Sequence, residues 1–259
     1  MARSAVRQDT ALVLGSDVVP SAIAHALCAH GWSVVLIDDI DPPGPWRGMS
    51  FVNAWYFGSA ELLNVAACFC ASVKSIPSVL NRRNLIAATS WSWQGVASAL
   101  SPEVVIDARN AARAPGVRAC VAGEHVDIAV DARWEVTDAR TLLHAPRNGR
   151  MHSPFRIGDR VEAGEPLGDV SGSALVAPAT GVLRGISARG ARVPAGQVVA
   201  DIDPGGDTVA CYGLDTRAAR VAEAVVEALS TSLRTATRMS PSRHISVSPS
   251  IEAERPPTP

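Results

Sequence analysis

The stretch ALVLGSDVVPSAIAHALCAHGWSVVLIDD, Ala11 to Asp39, decides the fold class. Its apolar run from Ala11 to Leu14 reads as a short buried strand. Ser21 to His30 reads as a helix, and Ser33 to Ile37 as a second strand ending at Asp38 and Asp39. Strand, helix and strand in immediate succession make a compact βαβ unit, so the chain opens as an α/β protein.

The joint between the first strand and the helix is Gly15-Ser16-Asp17-Val18-Val19-Pro20. A dinucleotide-binding loop uses three closely spaced small residues here, and this one supplies a single glycine. Such a loop holds phosphate on the unsatisfied amides of a helix N-terminus. Asp17 works against that purpose, because its carboxylate repels phosphate or competes for the same amides. Gly15 and Ser16 are therefore cofactor-binding candidates in a Rossmann-like front domain, with a plain scaffold turn as the alternative.

Further on, Val104 to Ile106 is another short buried strand, and it runs out into Asp107-Ala108-Arg109-Asn110 and Arg113. Polar residues just beyond strand C-termini of an open α/β sheet are well placed to meet a ligand. Arg109 can hold a phosphate through its planar donor fork while Asp107 and Asn110 orient the loop; the competing reading is an Asp107–Arg109 pair that fixes a strand exit. Between these segments, Pro42-Pro43-Gly44-Pro45 marks a surface excursion, and Trp55, Tyr56 and Phe57 are expected to close the core. Ser90-Trp91-Ser92-Trp93-Gln94 alternates like a strand; core packing is the expectation for its tryptophans, a displayed ligand or partner surface the alternative. Glu124, His125 and Asp127 match neither a hydrolytic triad nor a zinc site, so no catalytic and no metal residues are assigned.

From Pro146 the pattern changes. Gly158-x-x-Val161-x-x-Gly164 returns as Gly190-x-x-Val193-x-x-Gly196, each followed by an apolar strand, which is an internal repeat of short strands joined by tight glycine turns. An amphipathic helix is expected from about Thr216 to Leu229, with Val221, Ala224, Val225 and Ala228 packing. Ser230 onward is rich in Ser, Thr, Pro and Arg, and is expected to be disordered. The resulting division is 1–145 for the α/β domain, 146–204 for the β module, 205–229 for a segment and helix packing on the core, and 230–259 for the tail.

Composition narrows the functions. With 24 basic against 25 acidic side chains the chain builds no field for nucleic acid, and Lys74 is its one lysine, which removes most lysine-borne cofactor chemistry. The five cysteines are odd in number, and Cys68 and Cys70 lack the further ligands of a metal site, so buried thiols in a reducing, cytoplasmic setting are expected. Charge or proline interrupts each apolar run before membrane-spanning length.

Two resemblances follow. The repeat resembles the biotinyl and lipoyl half-barrel, although Val170-Ser171-Gly172-Ser173-Ala174, at the position of the carrier hairpin, has no lysine. Ala11 to Asp38, Gly48 to Gly58, Val104 to Arg113 and Arg156 to Leu229, taken in order, resemble the selenium-dependent molybdenum hydroxylase system proteins, the YqeB-like family. That resemblance implies a non-catalytic accessory protein for maturation or cofactor insertion of a molybdenum hydroxylase, with the molybdenum cofactor pterin as ligand and the hydroxylase as partner. A nucleotide- or NAD-binding oxidoreductase and a structural subunit or binding platform are the alternatives, and a homo-oligomeric state stays open. The family's first glycine falls on Gly15, its strand-end pair on Asp107 and Arg109, and its late cysteine on Cys211; its second loop glycine is replaced by Asp17, and its cysteine-histidine pair by Ile128 and Ala129.

Overall fold

The computed structural model describes residues 9–109, 117–121, 124–128, 141–206 and 208–239. Strand β1 (Thr10–Leu14), helix α1 (Val18–Ala29) and strand β2 (Ser33–Ile37) form the expected opening, with the two strands parallel from Thr10 opposite Ser33 to Leu14 opposite Ile37. The helix begins already at Val18, ahead of Ser21. Asp17 is its N-cap, extended at φ −71° and ψ −172°, and its carboxylate accepts the Val18 N–H at 2.9 Å. Pro20 fits the first turn because no intrahelical donor is needed there.

Helix α2 (Asn53–Phe57) leads into β3 (Ser59–Leu62) and β4 (Val65–Phe69); α3 (Ile76–Leu80) leads into β5 (Leu85–Thr89), and α4 (Trp93–Leu100) into β6 (Val104–Asp107), β7 (Val117–Val121) and β8 (Glu124–Ile128). Together they build an eight-stranded sheet in the order β3-β4-β5-β2-β1-β6-β7-β8. The run β4-β5-β2-β1-β6 is parallel, and antiparallel strands finish both edges. Strand alternation divides the core between the two faces. Ala11, Val13, Val34, Leu36, Ile86 and Ile106 join α1 on one side, whereas Leu12, Leu14, Val35, Ile37 and Ala87 meet Ile76 of α3 and Val96 of α4 on the other. From β1 the chain goes to β2 on one side and, later, to β6 on the other, so the order reverses between β1 and β6.

The strand expected over Ser90 to Gln94 is a helix start instead. The Ser92 hydroxyl accepts the Gly95 N–H at 3.2 Å and caps α4, so local capping overrides the alternation of tryptophans. Trp91 and Trp93 are not packed in the core: they are 50% and 37% exposed. Phe57 is also exposed, while Trp55 and Tyr56 are partly buried.

The second part begins with β9 (Thr141–His144), upstream of residue 146, because this strand pairs with a partner late in the chain. It continues through β10 (Gly149–His152), β11 (Arg160–Val161), β12 (Pro166–Val170), β13 (Ser173–Val176), β14 (Gly181–Ile186), β15 (Arg192–Val193) and β16 (Val198–Asp203). These form two four-stranded antiparallel sheets, β13-β12-β10-β15 and β11-β14-β16-β9, with Met151, Leu167, Val170, Leu183, Ile186 and Ile202 in a core of their own. The repeat is visible in the backbone. Gly158 and Gly164 flank β11 at φ +91° and +87°, and Gly190 and Gly196 flank β15 at φ +89° and +79°.

Helix α5 (Thr216–Met239) returns to the front part and packs along α1, burying Ala218, Val221, Ala222, Val225 and Leu229. Between the sheet and this second helix α1 is buried from Val18 to Cys28, which explains its apolar character all round. The helix passes Leu229, where the sequence reading ended it. Ser230 and Thr231 fold their hydroxyls onto the carbonyls of Val226 and Glu227, so these polar residues continue the helix rather than terminate it. Residues 240–259 of the expected tail lie outside the described residues.

The Pro42–Asn53 segment joins the two parts. Pro43 O accepts the Ser187 hydroxyl at 2.6 Å, Pro45 O accepts the Ile186 N–H at 2.8 Å, and the Arg47 Nε donates to Ile186 O at 2.8 Å. Beside them the Trp46 indole donates to the fully buried Asp201 at 2.7 Å. Arg184 is likewise buried and lies 3.9 Å from Asp201 and 3.3 Å from Asp215.

Candidate functional site

The C-terminal ends of β1, β2, β5 and β6 present one rim of polar residues. Gly15 leaves β1 at φ +101° while its N–H donates to Ile37 O at 2.8 Å, a conformation suited to glycine. A Cβ at this position would lie 2.8 Å from Pro20 Cγ and 3.3 Å from both Cα and Cγ of Arg109. The fold thus brings together Gly15 and Arg109, two candidates far apart in the chain, at the point where strand order reverses.

Ser16 is buried, and its hydroxyl donates to Asp38 at 2.5 Å. Its carbonyl accepts the Ser21 hydroxyl at 2.7 Å, and Ser21 in turn accepts the Phe51 N–H at 2.9 Å. Ser16 therefore ties the loop to the end of β2, and the chain after Pro42 closes over it. Asp17 sits beneath the same segment: a Cβ on Gly44 would be 3.2 Å from its carboxylate. Burial pushes the Asp17 carboxyl up to about 6, the Val18 amide opposes the shift, and the nearby Asp38 adds to it. Asp38 is also held above the usual carboxylate range, chiefly by burial, with the Ser16 hydroxyl opposing.

Arg109 grips Asp107 through two side-chain bonds, Nε to Oδ1 at 2.9 Å and Nη2 to Oδ2 at 2.6 Å, and its backbone N–H reaches the same carboxylate at 3.2 Å. The pair is exposed, with the Arg109 side chain 54% accessible. Hydrogen bonding to Asp107 holds the guanidinium proton more tightly than usual, and the charges of Asp107, Asp38 and Asp39 add to that. Asn110 and Ala129 lie outside the described residues, and Ile128 ends β8.

The rim also contains residues that the sequence reading did not assign to a site. Asp38 N–H donates to Thr89 O at 3.2 Å, and the Ser90 hydroxyl donates to Asp39 O at 3.1 Å, so the ends of β2 and β5 are stitched side by side. Asp39 and Trp91, the next residues along each strand end, are exposed, and the Trp91 indole N–H donates to Ala71 O at 3.0 Å, on the β4 side of β5. The place of Asp39 at a strand end is legible in the sequence; alternation puts Trp91 and Trp93 on one face without saying which way it points, and the expected core packing is overturned by their exposure. Among the described residues no group of three or more His, Cys, Asp or Glu is arranged to hold a metal ion, and no helix is long and apolar enough to cross a membrane.

No protein-family model matches the chain. Over 90 residues it is 33% identical to uncharacterized protein YqeB of Escherichia coli (strain K12), a stretch that makes up 35% of this chain and 17% of that protein. The match spans less than a fifth of that relative's length.

Proposed function

We propose that this chain is a YqeB-like accessory protein of a molybdenum hydroxylase, and that it binds an anionic ligand at the β1–β6 rim to assist maturation or cofactor insertion. The observation that carries the ligand site is the approach of Gly15 to Arg109 at a reversal of strand order, where open parallel sheets receive ligands. The hydroxylase assignment rests on the ordered resemblance of four segments to the YqeB-like family, and the partial match to uncharacterized protein YqeB supports that family likeness alone. In this reading the front part is Rossmann-like and the two small sheets are a half-barrel of biotinyl or lipoyl type whose Ser171-Gly172 turn carries no lysine.

The molybdenum cofactor pterin suits the rim in two respects: Arg109 offers a planar fork to its phosphate, and the absence of a Cβ on Gly15 leaves Arg109 room beside the backbone. A dinucleotide is supported less well. Its pyrophosphate would sit on the first amides of α1, yet Asp17 takes the Val18 N–H, Pro20 has none to give, and the Gly44 segment lies over the carboxylate.

The test is deletion of the coding sequence in the native host, followed by measurement of hydroxylase activity and of molybdenum and pterin in the purified hydroxylase. Loss of both, restored by the wild-type chain, is expected. A hydroxylase with full activity and full cofactor in the deletion strain would refute the accessory role.

A further inference from the structure

At the edge of the sheet opposite the rim, where the neighbouring strands β2 and β5 begin, lies a cavity of about 320 Å³, a size that suits a small molecule. Cys28 near the end of α1, Trp32 just before β2, Leu80 at the end of α3, and Arg82, Arg83 and Leu85 line it. The two arginines sit on a short turn that is anchored on both sides. The Asn81 and Arg82 N–H groups donate to Pro77 O at 3.1 Å and Val79 O at 3.0 Å, and the carbonyl of Asn84, a residue at φ +56°, accepts the Ala66 N–H at 3.0 Å. Among the described residues neither guanidinium has a hydrogen-bond or ion-pair partner, and the Trp32 indole N–H has no acceptor. Nor is either arginine needed to cap α1. The carbonyls of Ala26, Leu27 and Cys28 at its end already accept the N–H groups of His30, Trp32 and Gly31.

The lining carries positive charge and donors with nothing to oppose them. No Asp or Glu lines the cavity, and burial pushes the Cys28 thiol up, so it stays neutral at neutral pH. A cation would be repelled by both guanidiniums, and a neutral apolar molecule would leave both donor forks unanswered. Two adjacent guanidiniums select two negative charges, which they hold in charge-assisted hydrogen bonds. Trp32, Leu80 and Leu85 add apolar wall that a bare ion cannot cover, so the occupant carries a short carbon body. We infer that this cavity is a second ligand site, for a short organic dianion of the dicarboxylate or phosphate monoester class, with its charges on Arg82 and Arg83 and its carbon body against Trp32, Leu80 and Leu85. Strands β2 and β5, five residues each, separate it from the rim by roughly 16 Å at about 3.3 Å per residue. The site therefore neither uses Arg109 nor depends on the function proposed for the rim.

Titration calorimetry of the full chain with succinate, glycerol 3-phosphate, inorganic phosphate and the neutral succinamide tests the site. The expected result is that the two organic dianions bind, that phosphate binds more weakly than the better of them, and that succinamide gives no heat. Tighter binding of glycerol 3-phosphate assigns the phosphate monoester class, and tighter binding of succinate the dicarboxylate class. Arg82→Gln and Arg83→Gln should each weaken the dianion by about fivefold to tenfold, a factor reduced for the exposure of these side chains. Trp32→Phe, which keeps a ring and loses the N–H, should weaken it by a smaller factor, and Arg109→Ala should leave it unchanged. Both glutamine variants should melt close to wild type, because exposed arginines contribute little to stability. Lower melting temperatures with unchanged dianion affinity would assign Arg82 and Arg83 to the turn and overturn the site, as would succinamide that binds as tightly as succinate. A dianion whose binding is lost in Arg109→Ala and kept in Arg82→Gln and Arg83→Gln belongs to the rim; in that case this inference fails and the rim site stands.

Discussion

Arg109 can serve as a ligand contact or as the partner that fixes Asp107, and the structure gives it the second set of bonds already. An incoming anion must compete with Asp107 for a fork that is exposed enough to be reached. Replacement by lysine keeps the charge and loses the fork, so Arg109→Lys should weaken phosphate-bearing ligands and Arg109→Ala should weaken them further, by roughly 1.5–3 kcal/mol or about 10- to 150-fold. Both variants should melt close to wild type, because an exposed pair contributes little to stability. A lower melting temperature with unchanged affinity would assign Arg109 to structure alone.

Asp17 makes a second prediction at the same scale. Its folded-state carboxyl is raised from 3.8 to about 6, so the folded protein binds this proton more tightly than the unfolded chain does. Ionisation of Asp17 therefore costs stability progressively as pH rises between those two values, and the full cost is present above about pH 6. Asn caps a helix as well as Asp and has no charge to desolvate. Asp17→Asn should be more stable than wild type by about 1–2 kcal/mol near pH 7.5, with the gap closing toward pH 4; this figure is reduced for the carboxyl's partial exposure. Melting curves of the two proteins across that range measure it, and a pH-independent difference would remove Asp17 from the account.

Among the elements, the glycine turns of the β module were legible because they obey a local rule. Gly190 has φ +89° and no atom within 4 Å of the position a Cβ would take, so its requirement is backbone conformation and not space. Gly190→Val should destabilise the module by about 1–2 kcal/mol or more, while Gly190→Asn, which tolerates the left-handed region, should cost less. Equal melting temperatures for the two variants would contradict the turn. The element that sequence misread is the Ser90–Gln94 segment: two tryptophans in alternation imitate a strand, and Ser92 instead caps a helix. A side-chain hydroxyl three residues before an amide outweighs so short a periodicity.

On the scale of the whole molecule, the two parts are joined through buried polar contacts. Trp46 donates to Asp201, which is completely buried beside Arg184, and both lie where the Pro42–Asn53 segment meets β14 and β16. Trp46→Phe removes that donor from a buried carboxylate and should cost about 1–3 kcal/mol. Calorimetry should register one cooperative transition in wild type, displaced downward in Trp46→Phe. Two transitions in wild type, the lower one unmoved by the substitution, would mean that the parts melt independently.

The sequence by itself determined the βαβ opening, the short strand before Asp107, the repeated glycine turns, and the amphipathic face of α5 as far as Leu229. Each of these is written in a period or a turn residue within a few positions of itself. Only the tertiary structure decided that Gly15 lies against Arg109, that Ser16 is consumed by Asp38, and that the segment after Pro42 covers Asp17. It also decided that Trp91 and Trp93 are exposed and that the Ser90 hydroxyl bonds to the Asp39 carbonyl. These facts depend on which strands become neighbours, and neighbours such as β1 and β6 are selected by the packing of α1, α3, α4 and α5 around the whole sheet. No local pattern carries that choice, because strand order is the property of the assembled core.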